Sequence, residues 1–438
     1  MKILLIFLII TIKIKKLKSH SKIYTFPFKR EIPKEITSSN IFDFINENNI
    51  QTEIEISNNQ HYKIPLNIKL RQYPFFFTSP DAYPDKITYK FTESTSFLGD
   101  STKYNFHSYD FQNGFIGNDT IFIDNEKIFQ FNFFIGTKLA NNIKESGSIG
   151  LNIYNPEQKF SEINFLYQLK NRNLILNYEF TFKYDNNDNG ELIIGDKPHN
   201  YDNNYKEENY KILNLSLSSS NKSYDIDINN ITYGDVNISE KIICELLIES
   251  GVIIGNEKYR NEVKKDFFNL HLYNGDCNEK TIESKQLYYY NCKKNVNISK
   301  MKNIKFYIEN INFSLELSYE DLFYEYNNIY YFLVIFNYRD FYNFKWKLGK
   351  PLFKKYQFVF DQGNKKIGFY TKFNKPDKNK NYIIIGFAIA IIIVIIILII
   401  ISSKTCKRKK KRKMRPNEIK EEYYKGNNNQ KKENLLGI

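Results

Sequence analysis

The chain has 438 residues, of which 42% are hydrophobic, 16% aromatic and 26% charged, with a formal charge of +14. That length can bury two ordinary domains or one large β domain, and the abundance of Leu, Ile, Phe and Tyr excludes a wholly disordered polymer. The charge sits at the ends: residues 1–18 carry five Lys and no acid, residues 404–438 carry thirteen Lys/Arg against four Glu, and residues 19–403 are neutral. A nucleic-acid binder would carry its positive charge on the folded domain, so no nucleic-acid partner is expected.

The first predicted element is Ile3–Ile12, ten apolar residues behind Lys2. As a helix it would span about 15 Å, half of a bilayer core. A charge followed by a short apolar run reads as a signal peptide over residues 1–18, with cleavage near Ser19 to Ser21; an N-terminal core strand is the alternative.

Strand alternation then dominates. Ile54 and Ile56 turn at Asn58-Asn59 into Ile64, Leu66, Ile68 and Leu70, and Ile121 and Ile123 turn at Asp124-Asn125 into Ile128 to Phe134. The same two-residue period marks Tyr224 to Ile228, Ile304 to Leu315, and Phe358 to Phe369 around Asp361 to Asn364. Repeated hairpins with Asn, Asp and Gly turns predict an all-β body. One helix is predicted from Asn256 to Leu270, capped by Asn256, with Tyr259, Val263 and Phe267 on one face.

Three of the four cysteines precede the last apolar segment: Cys244, Cys277 and Cys292. In an oxidising compartment Cys277 and Cys292 are the favoured pair, leaving Cys244 as an odd, buried thiol. No CxxC or HExxH occurs and the five His are scattered, so neither a metal site nor a cofactor is expected. Asn118, Asn214, Asn221, Asn230, Asn237, Asn297 and Asn312 open Asn-x-Ser/Thr sequons and are glycosylation candidates.

Residues 382–403 hold twenty consecutive uncharged positions, Tyr382 to Ile401, about 30 Å as a helix. Nine Lys/Arg follow within residues 404–415, against three in the 375–381 stretch before it. The positive-inside rule predicts a single-pass type I protein of the cell surface or a secretory or endolysosomal membrane. Residues 373–381 would be a stalk and 404–438 a cytoplasmic tail. That tail is either a stop-transfer flank or an anionic-lipid contact, and Cys406 is a candidate for palmitoylation.

The order of motifs resembles the pepsin-like aspartic proteases. In residues 346–370, WKLGKPLFKKYQFVFDQGNKKIGFY, Leu348-Gly349, Phe353, Tyr356, Val359-Phe360-Asp361 and Ile367-Gly368-Phe369 match the family's closing pattern, although Lys350 replaces its Asp. SGSIGL (146–151), GELIIG (190–195), residues 223–234 and YDFQNGFIGNDT (109–120) follow the family's order. The resemblance implies a mostly β, bilobal pepsin-like fold over residues 54–372, with lobes meeting near 185–210 and one C-terminal transmembrane helix. Residues 19–53 would be an N-terminal extension or propeptide-like segment. It also implies a flap tyrosine at Tyr109, a second-lobe disulfide between Cys277 and Cys292, and a cleft taking an extended peptide.

The family's chemistry requires two Asp carboxylates sharing a proton, each opening an Asp-Thr/Ser-Gly turn. That tripeptide is absent. By position, Phe77-Thr78-Ser79 stands for the first turn and Glu249-Ser250-Gly251 for the second, so Phe77 and Glu249 are expected to face each other below Tyr109. Asp81 lies beyond Pro80, and Glu145-Ser146-Gly147 falls after the flap, whereas the family's first acid lies before it. The expected protein is a membrane-anchored pseudoprotease. The alternatives are an active endopeptidase with a displaced acid, or a surface binding protein without cleft function.

Overall fold

Side-chain alternation builds the hairpins where the sequence places them. In the computed structural model, Ile50–Ile56 and Tyr62–Lys69 pair antiparallel with Ile54 opposite Ile64, and their Ile and Leu side chains alternate into the core. Phe111–Ile123 and Glu126–Leu139 form the long hairpin of the first half. Gln357–Asp361 and Lys366–Tyr370 form the closing one. The structure describes residues 22–33, 36–37, 40–57, 59, 62–71, 74–84, 86–99, 104–105, 111–139, 145–153, 161–185, 188–216, 223–282, 286–337, 345–371 and 396. The expected signal peptide, stalk and cytoplasmic tail lie outside them, as does the expected spanning segment apart from Ile396. Among the described residues no helix is long and apolar enough to cross a membrane.

Two lobes emerge from the pairing. A sheet of fourteen strands runs from Tyr210–Asn214 through the closing hairpin, Glu179–Tyr184, Gly190–Ile194 and Tyr24–Arg30 into the first lobe. A nine-stranded sheet and a four-stranded sheet make the second lobe. Residues 24–53 are not an appendage: Tyr24–Arg30 is hydrogen-bonded between Gly190–Ile194 and Ile50–Ile56, and the expected boundary at residue 54 falls inside a strand. The reason is visible in the register, where alternate side chains Tyr24, Phe26 and Phe28 are buried.

Where the lobes join, aromatic rings fill the space between elements distant in sequence. Phe180 stacks on Phe360 with ring centroids 4.8 Å apart, and Tyr224 meets Phe360 edge-on at 4.7 Å. The predicted helix forms as Glu257–Val263, continued by a π-helical turn, Lys264–Phe268, and by Asn269–Tyr273. Asn256 caps it by accepting the Tyr259 N–H at 2.9 Å, and Tyr259, Val263 and Phe267 are buried.

Cys277 and Cys292 are joined, directly opposite each other in the Cys277–Ile282 and Leu287–Lys293 hairpin. Cys244 is a free, buried thiol, whose ionisation burial pushes upward. The fifteen-residue separation of the pair predicts that Cys277→Ser with Cys292→Ser lowers stability by about 3 kcal/mol. Urea unfolding of the variant against the parent reads this directly.

Candidate functional site

The two lobes repeat one arrangement, and the repeat locates the site. In the first lobe Tyr62–Lys69 runs parallel to Gly147–Gly150 with Ile68 opposite Ile149, and Phe76–Thr78 returns antiparallel with Phe76 opposite Ser148. In the second lobe Ile242–Leu246 runs parallel to Trp346–Leu348 with Leu246 opposite Leu348, and Ile253–Gly255 returns with Ile254 opposite Lys347. A third pairing agrees: Phe76 lies opposite Phe134 and Ile254 opposite Ile335, both parallel. Ile68 to Phe76 and Leu246 to Ile254 are equal steps of eight positions. The turn residue three past Ile68 is Arg71, and the one three past Leu246 is Glu249. Arg71 is therefore the counterpart of Glu249.

This corrects the placement of Phe77. That residue is inside Phe76–Thr78, after the turn, and is fully buried in the first-lobe core. Its ring packs edge-on against Phe133 at 4.9 Å and Phe75 at 5.1 Å, with Tyr89 at 5.5 Å. A core aromatic has no access to a second-lobe side chain. Asp81 is exposed on the turn beyond it. Tyr109 lies outside the described residues.

The structure does bring Arg71 to Glu249. The Arg71 N–H donates to Glu249 Oε1 at 3.0 Å, while Glu249 Oε2 is inaccessible and has no hydrogen-bond partner among the described residues. Burial raises the Glu249 carboxyl above its ordinary value, against the opposing Arg71 N–H and the nearby charges of Arg71 and Lys69. The Arg71 guanidinium turns to Glu245, donating from Nε to Oε1 at 2.7 Å and from Nη2 to Oε2. Glu245 is buried and Arg71 about half exposed, so the fork neutralises a buried carboxylate from the solvent side. Lys347 also faces this pair; burial and then Arg71 lower its affinity for a proton, and Glu245 partly restores it.

Glu145, the first-lobe acid of the second Glu-Ser-Gly tripeptide, is already engaged. Its carboxylate takes the Asn67 Nδ2 and the Lys69 Nζ, the latter at 2.8 Å.

The Glu249-Ser250-Gly251 main chain is covered by the protein's own N-terminal segment. Asn48 donates its N–H to the Glu249 carbonyl at 2.9 Å, and the Gly251 N–H donates to the Asn46 carbonyl at 2.7 Å. Glu47 forms an antiparallel bridge to Ser250. Just before them, the short helix Ile41–Asn46 buries Ile41, Phe42, Phe44 and Ile45 against Val252, Leu287, Tyr331, Leu333 and Ile335. Gly251 is required here: a Cβ would lie 2.0 Å from the Ile45 carbonyl oxygen. Gly349 has a related role, since its Cβ would lie 2.2 Å from the Val252 carbonyl oxygen.

Lys350, where the resemblance leads one to expect Asp, is matched by Asp188. The Lys350 Nζ and Lys354 Nζ each sit 2.7 Å from the Asp188 carboxylate, and Arg30 Nη1 lies 3.2 Å from it. Arg30 and Lys350 are almost fully buried. Burial and then Arg30 pull Lys350 down to about 8, opposed by Asp188. Burial alone would raise Asp188, but Lys350 and Lys354 hold it well below the carboxylate range. Among the described residues no cluster of His, Cys, Asp and Glu is arranged to hold a metal.

A two-lobed β body with paired turn-and-return elements meeting at Arg71 and Glu249 defines an aspartic-protease architecture. The model of the eukaryotic aspartyl protease family matches residues 78–372, and the chain belongs to that family. Comparison with curated proteins gives no match. The family match begins at Thr78, seven positions beyond Arg71, so the first-lobe turn falls outside it. The Arg71-Gln72-Tyr73 tripeptide carries no signal that sequence reading alone detects; strand register is what finds it.

Proposed function

We propose that this is a pseudoprotease: a membrane-anchored family member, exported with its tail in the cytosol, that does not hydrolyse peptides. The observation carrying this is Arg71 at the position opposite Glu249. Hydrolysis in this class needs one carboxylate to activate water while a second, protonated, donates to the scissile carbonyl. Arginine stays protonated at any physiological pH and cannot serve as the base. Glu249 alone cannot hold both roles, and its extra methylene displaces the carboxylate by about 1 Å, an error that can reduce rate by about a hundredfold.

An extended peptide or protein is the ligand class that such a cleft suits, through main-chain hydrogen bonds. The basic tail suits anionic lipid. A second reading, a surface binding protein whose cleft has no ligand, is favoured by one observation: residues 46–48 already occupy main-chain groups of Glu249 and Gly251.

The test is peptide cleavage at acid pH by the full chain, with and without a peptide-mimic inhibitor of this protease class. No inhibitor-sensitive turnover is expected. Turnover that the inhibitor blocks and Glu249→Ala abolishes would overturn the proposal. Saturable peptide binding without cleavage favours the cleft ligand over the second reading.

A further inference from the structure

Among the described residues, two of the sheets have at one end a strand paired on one side only that carries a sequon asparagine. Tyr210–Asn214 is one of the two terminal strands of the fourteen-stranded sheet and Val236–Ser239 one of the two of the four-stranded sheet. Asn214 and Asn237 are exposed on them. Each lies beside an exposed aliphatic side chain, Ile212 at 47% and Val236 at 39% of full exposure. An open edge with an exposed aliphatic residue is a template for pairing with another chain, and folded proteins normally block it. Neither strand holds a proline, and the Val236–Ser239 strand holds no charged residue.

We infer that Asn214 and Asn237 carry N-linked glycans that guard these two edges. The inference rests on export of the body, as in the proposal above. The donor is a lipid-pyrophosphate-linked oligosaccharide. Its sugar C1–O bond breaks, C1 bonds to the Asn Nδ2, the amide loses one proton, and the lipid pyrophosphate leaves. Asn297 and Asn312 offer a similarly exposed amide at turns. Both are exposed. Asn297 Oδ1 accepts the Ser299 hydroxyl at 2.6 Å, and Asn312 Oδ1 accepts the Tyr307 hydroxyl at 3.3 Å. In each the oxygen is engaged, while Nδ2 has no protein partner among the described residues.

Asn221 lies outside the described residues, and two other sequons are less accessible. Asn118 sits in a strand paired on both sides, opposite Leu98 and Asn132, with its Oδ1 inaccessible and without a partner among the described residues. Asn230 lies in an interior strand opposite Tyr307, and its Oδ1 is likewise inaccessible. Both side chains are only partly exposed and their oxygens are enclosed, so each offers less of its amide to a transferase than the four exposed asparagines.

The experiment expresses the full chain in eukaryotic secretory cells and releases glycans with an amidase in oxygen-18 water. Each occupied Asn becomes a labelled Asp, located by peptide mass mapping. Labels are expected at Asn214, Asn237, Asn297 and Asn312 and not at Asn118 or Asn230. Digestion of intact microsomes with protease reports topology separately. A protected body with Asn214 and Asn237 unlabelled overturns the edge assignment while leaving export standing. A digested body with no labels overturns both. Labelling at Asn118 or Asn230 in folded protein overturns the sorting by burial. The double variant Asn214→Gln/Asn237→Gln should lose monomer on size exclusion, whereas Asn297→Gln/Asn312→Gln should keep it. Equal monomer in the two variants overturns the guarding role.

Discussion

Asp188→Asn is expected to lower the stability of the folded body by about 3–5 kcal/mol at neutral pH, the effect of leaving buried charge uncompensated. Three cations, Arg30, Lys350 and Lys354, converge on that one carboxylate. Arg30 cannot escape to water: its Nη2 also donates to the carbonyls of Phe44 and Glu47, and its guanidinium lies 4.3 Å over the Phe44 ring. The cluster thus ties the Tyr24–Arg30 strand to the segment covering Glu249-Ser250-Gly251. The pH dependence has a definite sign. Because the folded carboxyl is held below its ordinary value of 3.8, its contribution is present above that value and lost as pH falls further. The variant should therefore approach the parent's stability at strongly acid pH. It should also recover above about pH 8, where Lys350 sheds its proton. Chemical unfolding at three pH values checks the pattern; a uniform loss at all three would contradict it.

Gly251→Ala is expected to unseat residues 41–48. The new methyl would sit 2.0 Å from the Ile45 carbonyl oxygen, and a backbone atom fixed by a buried helix yields only by moving the helix. Overpacking of this kind costs about 1–3 kcal/mol, which in a local opening equilibrium is roughly a five- to 150-fold loss of protection. Hydrogen exchange should show the Asn48 and position-251 amides exchanging faster, with the Ile304–Ile308 strand unchanged. Unchanged protection at Asn48 would show that the segment is not held by the Gly251 contact. If the same variant gains peptide binding, the N-terminal segment and the peptide compete for one surface.

Much of the fold was legible because its signals are local. The closing hairpin is readable from Phe358, Phe360, Ile367 and Phe369 alternating around an Asp-Gln-Gly-Asn turn, and the helix after Asn256 from a cap and an apolar face. The disulfide needed only two cysteines on opposing strands. The first-lobe half of the site was not legible, for a physical reason. A turn is recognised by side chains that its chemistry requires, and once that chemistry is gone nothing constrains them. Arg71 retains the place but no feature of the motif, while Thr78 offered a false match inside a core strand. Only pairings between strands some eighty residues apart, such as Ile68 with Ile149, fix the register. The role of residues 24–53 was hidden in the same way, because Tyr24–Arg30 finds its partner at Gly190–Ile194. Lys350, a mismatch in isolation, becomes intelligible only beside Asp188.

Two carboxyls that share a proton titrate in two coupled steps, whereas an isolated buried carboxyl titrates once. Carboxyl carbon-13 NMR of glutamate- and aspartate-labelled protein, with Glu249 assigned by its disappearance in Glu249→Gln, separates these cases. A single transition, shifted upward from the ordinary glutamate value and moved further upward in Arg71→Ala, is the predicted result. A biphasic curve in which a first-lobe carboxyl such as Glu145 or Asp81 titrates together with Glu249 would contradict it and restore a working acid pair.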